Sequence, residues 1–196
     1  MYPDVIKELI LNFAKLPGIG EKSAERLVLH LATSENNEYL LNFANNLINL
    51  KDKIKLCRIC GMLSSDETCS ICQAEHRDQT TMMILADAKD VFSLEKMGTY
   101  HGLYHILGGL INFSKGIDAD ELNIDSIFKR LEHIKEVIIA TNGTVEGELT
   151  AQYLKALLND NKIIVSRLGY GIPVGVDLKY ADEQTLNKAI ENRQKY

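Results

Sequence analysis

Met82-Met83-Ile84-Leu85-Ala86 is a short apolar run, and two similar runs follow at Val137-Ile138-Ile139-Ala140 and Ile163-Ile164-Val165. Runs this short and nearly continuous suit strands buried on both faces, as in a parallel sheet. Amphipathic stretches at 88–97, 121–133 and 146–158 lie around and between them and read as crossover helices. The alternation predicts an α/β layer with a mostly parallel sheet over residues 79–176. In such sheets ligand sites lie beyond the carboxyl ends of the strands. Two segments fall there: Ala86-Asp87, and Thr141-Asn142-Gly143-Thr144-Val145-Glu146-Gly147-Glu148.

On the N-terminal side, Cys57-x-x-Cys60 and Cys69-x-x-Cys72 account for every cysteine in the chain. Two such pairs form two thiolate knuckles that can close a four-sulfur tetrahedral site around Zn²⁺. Gly61 allows a turn that can aim backbone amides at the sulfurs, and the spacer 62–68 is polar and turn-rich. Two disulfides fit poorly with a cytoplasmic chain, and a redox C-x-x-C usually stands alone. His76 could in principle replace a sulfur, but four thiolates already complete the set. The expectation is one structural zinc per chain over residues 55–78, with no open position for catalysis.

Residues 1–54 read as helices around a tight turn, Leu16-Pro17-Gly18-Ile19-Gly20, followed by Lys22 and Arg26. Pro17 stops the first helix, and Gly18 and Gly20 permit positive φ without placing a Cβ against a ligand. Unpaired amides and the helix dipole at the next N-terminus suit a phosphate oxygen. Lys22 and Arg26, four apart, share one helix face. This is a helix-hairpin-helix signature, which positions nucleic acid without reading bases. The plainer alternative is an ordinary αα turn whose glycines serve geometry alone.

Composition narrows the class. The 196 residues are 45% hydrophobic and 25% charged, ordinary for a globular protein. There is no apolar run long enough to span a membrane, and no basic leader, so a cytoplasmic setting is expected. The net charge is −5, and residues 1–56 carry seven basic and seven acidic side chains. Coating of nucleic acid by bulk charge is thereby disfavoured. Any DNA contact must come from a local patch, made effective by several copies or a partner.

The segments after the first and central strands resemble a Toprim domain, whose catalytic members hold Mg²⁺ with a strand-terminal Glu and a D-x-D-x-E-G-type stretch. Here Ala86 stands at the glutamate position, Asn142 and Thr144 replace the aspartates, and Glu146 and Gly147 remain. Asp87 is a poor substitute, because successive strand residues point to opposite faces. Three of four expected carboxylates are missing, so metal-assisted nuclease chemistry is hard to support.

Hairpin, cysteine knuckle and acid-poor Toprim segment, in that order, resemble the RecR family of bacterial recombination mediators from about residue 3 to the end. Further marks are Tyr104-His105-Ile106-Leu107-Gly108-Gly109, Arg167-Leu168-Gly169-Tyr170-Gly171-Ile172-Pro173-Val174-Gly175, and a Walker-B-like stretch at 177–183 leading to a C-terminal helix within 177–196. The resemblance implies a ring-shaped tetramer that encircles single- or double-stranded DNA without sequence specificity. It implies the partners RecO and, in many bacteria, RecF, which help RecA displace single-strand-binding protein. Carried over by position, Lys22 and Arg26 contact DNA, Gly18 and Gly20 shape their turn, and Cys57, Cys60, Cys69 and Cys72 hold zinc. Asp87 and Glu146 mark a candidate partner-docking surface.

Other segments read more simply. His101 and His105 suit packing or hydrogen bonding, and the mixed-charge run 51–55 suits a solvated connector. The acidic stretch 118–121 reads as a helix start. The glycine-rich 171–175 lacks a P-loop's Lys-Ser/Thr and reads as a loop and interface element. Three readings therefore stand: a non-enzymatic clamp and loading adaptor, a Mg²⁺-dependent nuclease or topoisomerase using Asp87 and Glu146, and a zinc-stapled scaffold that never touches DNA.

Overall fold

The structure, a computed structural model, describes residues 2–159 and 162–193. They form two compact units, Met1–Lys53 and Ile54–Tyr196.

The first unit is helical. Helix α1 (Asp4–Ala14) and helix α2 (Glu21–Ala32) pack against each other, with Ala24 and Val28 of α2 buried. Helix α3 (Asn37–Lys53) starts where Asn36 Oδ1 accepts the Tyr39 N–H at 2.9 Å. It ends with Lys51 and Lys53 in its last turn, where cations offset the helix dipole.

The second unit opens with a two-stranded antiparallel ribbon, β1 (Lys55–Leu56) and β2 (Leu63–Ser64), and a one-turn helix α4 (Ser70–Gln73). A four-stranded sheet follows: β3 (Thr81–Leu85), β4 (Leu103–Ile106), β5 (Glu136–Ile139) and β6 (Ile164–Arg167). Its order is β4-β3-β5-β6 and every pairing is parallel. Helix α5 (Ala88–Met97) spans the expected 88–97, and α7 (Val145–Leu158) covers the expected 146–158. Helix α8 (Glu183–Glu191) is the C-terminal helix, begun by Asp182, whose carboxylate accepts the Thr185 N–H at 2.9 Å.

The apolar runs are continuous because both sheet faces are covered. Met82 and Ile84 of β3 join Val137, Ile139, Leu154 and Leu158 in one core. Met83 and Leu85, one residue out of step, join Tyr104, Ile106, Val91 and three of the cysteines in the other. The cysteine segment is thus built into the same body as the sheet. Arg77, just beyond it, forms a two-pronged ion pair with Glu95 of α5 at 2.8 and 2.9 Å. Tyr104 of β4 donates to the same carboxylate at 2.7 Å.

One expectation is corrected. Residues 121–133 form no continuous helix: short 3₁₀ turns at Ala119–Glu121 and Leu131–His133 flank α6 (Asp125–Phe128). The break has a local cause in Asn123, whose backbone N–H bonds the Leu107 carbonyl at 2.9 Å. Its side-chain amide donates to Ile106 O at 3.0 Å, and its carbonyl meets His105 Nε2 at 2.6 Å. Tied to the end of β4, Asn123 cannot continue a helical ladder. The acidic stretch 118–121 does start a helical turn, a 3₁₀ turn at Ala119–Glu121 with Asp118 at its N-cap position.

Candidate nucleic-acid interface and metal centre

The hairpin turn is built by Gly18, whose φ of +80° lies in the left-handed region. The Ile19 N–H donates to Leu16 O at 3.1 Å and closes the turn. Gly20 does not use a positive φ, which corrects the expectation. It is the extended N-cap of α2 (φ −83°, ψ 166°), and its carbonyl accepts the Ala24 N–H at 2.9 Å. With no side chain, Gly20 leaves the cap uncovered, and the Glu21, Lys22 and Ser23 amides meet no acceptor among the described residues.

Lys22 and Arg26 are both exposed on α2, away from the buried Ala24 and Val28. Neither forms an ion pair among the described residues. The nearby Glu25 carboxylate instead accepts the Tyr2 hydroxyl at 2.6 Å. Two free cations thus share one face with three free amides at the positive end of a helix dipole, a surface suited to phosphate.

The four cysteines come together. The sulfurs of Cys57, Cys60, Cys69 and Cys72 all lie within 4.8 Å of one another. Among the described residues no other group of three or more His, Cys, Asp or Glu is so placed, and exposed His76 stands outside it. Cys60 Sγ and Cys69 Sγ are 3.6 Å apart, close to the edge of about 3.8 Å that tetrahedral Zn–S bonds of about 2.3 Å require. None of the four is in a disulfide.

The knuckle is closed by Gly61 N–H donating to Cys57 O at 2.8 Å and Cys57 N–H donating to Met62 O at 2.7 Å. Gly61 makes the turn at φ +77°; its own amide serves the Cys57 carbonyl, while the Met62 amide that follows it bonds the Cys60 sulfur and the Cys69 N–H lies 3.3 Å from Cys57 Sγ. The Cys60–Cys69 sulfur hydrogen bond pushes the Cys60 thiol up and the Cys69 thiol down. Four crowded thiolates need a cation to hold them, which Zn²⁺ supplies when bound.

The Toprim end of the sheet is differently committed. Ala86 is buried where a catalytic member carries its glutamate. Asp87 caps α5: its carboxylate accepts the Lys89 N–H at 3.0 Å and pairs with Lys89 Nζ at 2.9 Å. The Lys89 amide, then its ammonium, hold the Asp87 carboxyl below its usual range. Thr144 caps α7 by accepting the Gly147 N–H at 3.2 Å. Gly147 is required there, since a Cβ would lie 1.9 Å from Asn142 O. Glu146 meets the Asn112 amide at 3.4 Å.

Several contributors escaped the sequence reading. Arg77–Glu95 is one. Another is Arg167, which donates to Thr141 Oγ1 at 2.6 Å, to Glu148 at 2.9 Å and to the Tyr170 hydroxyl, fixing the loop after β6. These pairs are far apart in sequence and have no local pattern. His105 is fully buried, donating through Nε2 to Asn123 O while Nδ1 accepts from Arg130 at 3.1 Å. Burial lowers its pKa to about 4, so it stays neutral and structural.

The sequence comparisons agree with this geometry. Residues 6–50 match the RecR helix-hairpin-helix model, 54–74 the RecR four-cysteine zinc finger domain, 80–169 a Toprim domain, and 171–194 the RecR C-terminal model. "Recombination protein RecR" of Phytoplasma mali (strain AT) is 47% identical over 195 residues, covering 97% of this chain and 95% of the relative. The proteins of the same name from Lactococcus lactis subsp. cremoris (strain SK11) and Streptococcus mutans serotype c are 46% and 47% identical, each covering 98% of both chains. With the hairpin, a four-sulfur zinc centre and an acid-poor Toprim sheet in one chain, and relatives matching it end to end, this protein belongs to the RecR family of recombination mediators.

Proposed function

We propose that the chain is a DNA clamp that assists recombinase loading in the cytoplasm, working with RecO and, where present, RecF. DNA is held by the Gly18–Gly20 turn, Lys22 and Arg26. Zinc at Cys57, Cys60, Cys69 and Cys72 is structural. The observation carrying this reading is the pair of exposed cations beside three amides on α2, all without a partner among the described residues.

Two basic side chains per chain bind weakly alone, and a net charge of −5 adds no general attraction. Several hairpins facing one channel raise the effective concentration and recover affinity. Exposed apolar residues suit such an assembly: Leu41, Leu47, Ile48 and Leu50 on α3, and Val174, Leu178 and Tyr180 near the C-terminus. Four chains closing a ring would cover both sets. Differential binding of DNA and partners is then enough to shift which protein occupies a strand, with no catalytic step.

Light scattering with and without DNA tests the reading. Four chains of 22.0 kDa, about 88 kDa, are expected without DNA, and the same four chains plus the mass of the bound strand when DNA is present. A protein that stays at one chain's mass and ignores DNA overturns it.

A further inference from the structure

Asn142-Gly143 is the one Asn-Gly pair in the chain; every other asparagine is followed by a residue that carries a side chain. The pair lies in the loop between β5 and α7, and both residues are exposed. The Asn142 side-chain amide makes no hydrogen bond among the described residues, and the Gly143 N–H meets no acceptor among them. Other loop asparagines are tied down. Asn36 Oδ1 accepts the Tyr39 N–H, Asn112 Oδ1 accepts the Lys115 N–H, and the Asn123 amide donates to Ile106 O.

The main chain around the pair is anchored on both sides. Thr141 is buried, and its hydroxyl donates to Gly147 O at 2.8 Å. Gly147 presses on the Asn142 carbonyl so closely that no Cβ fits. On the other side the Tyr170 ring lies 3.0 Å from where a Cβ of Gly143 would stand. The backbone is held, while the Asn142 side chain stays able to rotate toward the Gly143 nitrogen, which no side chain of its own residue shields.

We infer that Asn142 is a site of spontaneous deamidation, a covalent modification written into the loop that opens α7. The Gly143 nitrogen gives up its proton and attacks Cγ of Asn142. An N–Cγ bond forms, the Cγ–Nδ2 bond breaks, and the departing nitrogen takes up a proton and leaves as ammonia. Water then opens the cyclic imide. Cleavage of the new N–Cγ bond leaves aspartate; cleavage of the original peptide bond leaves isoaspartate, with the chain running through Cγ. The sum is amide plus water to carboxylic acid plus ammonia, with no oxidant, metal or enzyme.

The two products differ in consequence. Asn142 stands at one of the aspartate positions of the Toprim resemblance, so the aspartyl form returns a carboxylate there and makes the net charge of −5 one unit more negative. Ala86 and Thr144 still carry no acid, so one carboxylate does not restore a nuclease site. The isoaspartyl form adds a backbone atom where Gly147 leaves no slack, and it loosens the start of α7. Neither consequence depends on the adaptor reading.

The test ages the native full chain in warm neutral buffer. Peptide mass mapping locates each converted asparagine, and methyl transfer from S-adenosylmethionine by an isoaspartyl methyltransferase counts the isoaspartyl product. Conversion at Asn142 is expected to run at least about tenfold faster than at any other asparagine. The aged chain should shift on ion exchange to the position of Asn142→Asp, and its isoaspartyl fraction should melt below that variant. Asn142→Gln, whose longer side chain closes the ring far more slowly, should keep its charge over the same period. Asn142 converting no faster than the other asparagines overturns the inference, as does an Asn142→Gln chain that acidifies as fast as the parent. An isoaspartyl fraction that melts with Asn142→Asp overturns the packing consequence.

Discussion

The Ile106 N–H donates to the Cys60 carbonyl at 2.7 Å. A zinc ligand is therefore hydrogen-bonded to the last residue of β4, and the metal centre braces the edge of the sheet. Gly61 fits against the same strand, since a Cβ there would lie 2.8 Å from Ile106 O. Loss of metal should accordingly disturb more than the cysteine segment. Cys60→Ser, or treatment with a strong chelator, is predicted to lower the melting temperature of the sheet-bearing unit by roughly 10 °C or more. Calorimetry with metal analysis checks this, and an unchanged transition in zinc-free protein contradicts it.

Backbone crowding gives a second prediction. Gly147→Ala places a methyl 1.9 Å from Asn142 O, within the backbone that starts α7. A cost of about 3 kcal/mol or more is expected. Gly20→Ala, at an extended cap with open space around it, is predicted to cost under about 1 kcal/mol. Urea unfolding of the two variants should rank them in that order; equal costs would refute the packing argument.

His105 makes stability depend on pH. Its folded pKa is near 4 because burial disfavours the cation, whereas an unfolded histidine titrates near 6.5. The unfolded state thus takes up a proton first as pH falls. The contribution is fully present above about pH 6.5, declines below it, and is gone below about 4. Its upper size is of order 3 kcal/mol. His105→Gln, which keeps a donor for Asn123 O, should lose less stability than the parent between pH 7 and 4. A parallel decline in both would contradict this assignment.

The acid-poor sheet end predicts intact DNA. Supercoiled and single-stranded DNA incubated with the protein and Mg²⁺ or Mn²⁺ should be neither cut nor relaxed, with the parent and Glu146→Ala alike. Cleavage lost in Glu146→Ala would restore the nuclease reading.

Much of this was legible in the sequence, for physical reasons that differ by segment. The cysteine spacing is a local constraint, and the gathered sulfurs follow from it. The apolar runs at 82–86 and 137–140 reflect two covered faces, and both became strands. Strand β4 was harder, because Tyr104 and His105 interrupt its apolar character; both are buried through partners distant in sequence, Glu95, Asn123 and Arg130. The same long-range bonds break 121–133 where periodicity alone suggests a helix. Nor does any local pattern mark Gly20 as an extended cap rather than a left-handed turn. Motif chemistry was readable, while the tertiary bonds that override local preference were not.

The most direct test of the central claim is the salt dependence of DNA affinity for the parent and for Lys22→Ala combined with Arg26→Ala. The double variant should bind all sequences more weakly, with the slope of log affinity against log salt reduced by about 0.7 to 0.9 for each phosphate contact removed. Affinity and slope both unchanged would mean that the hairpin does not hold DNA.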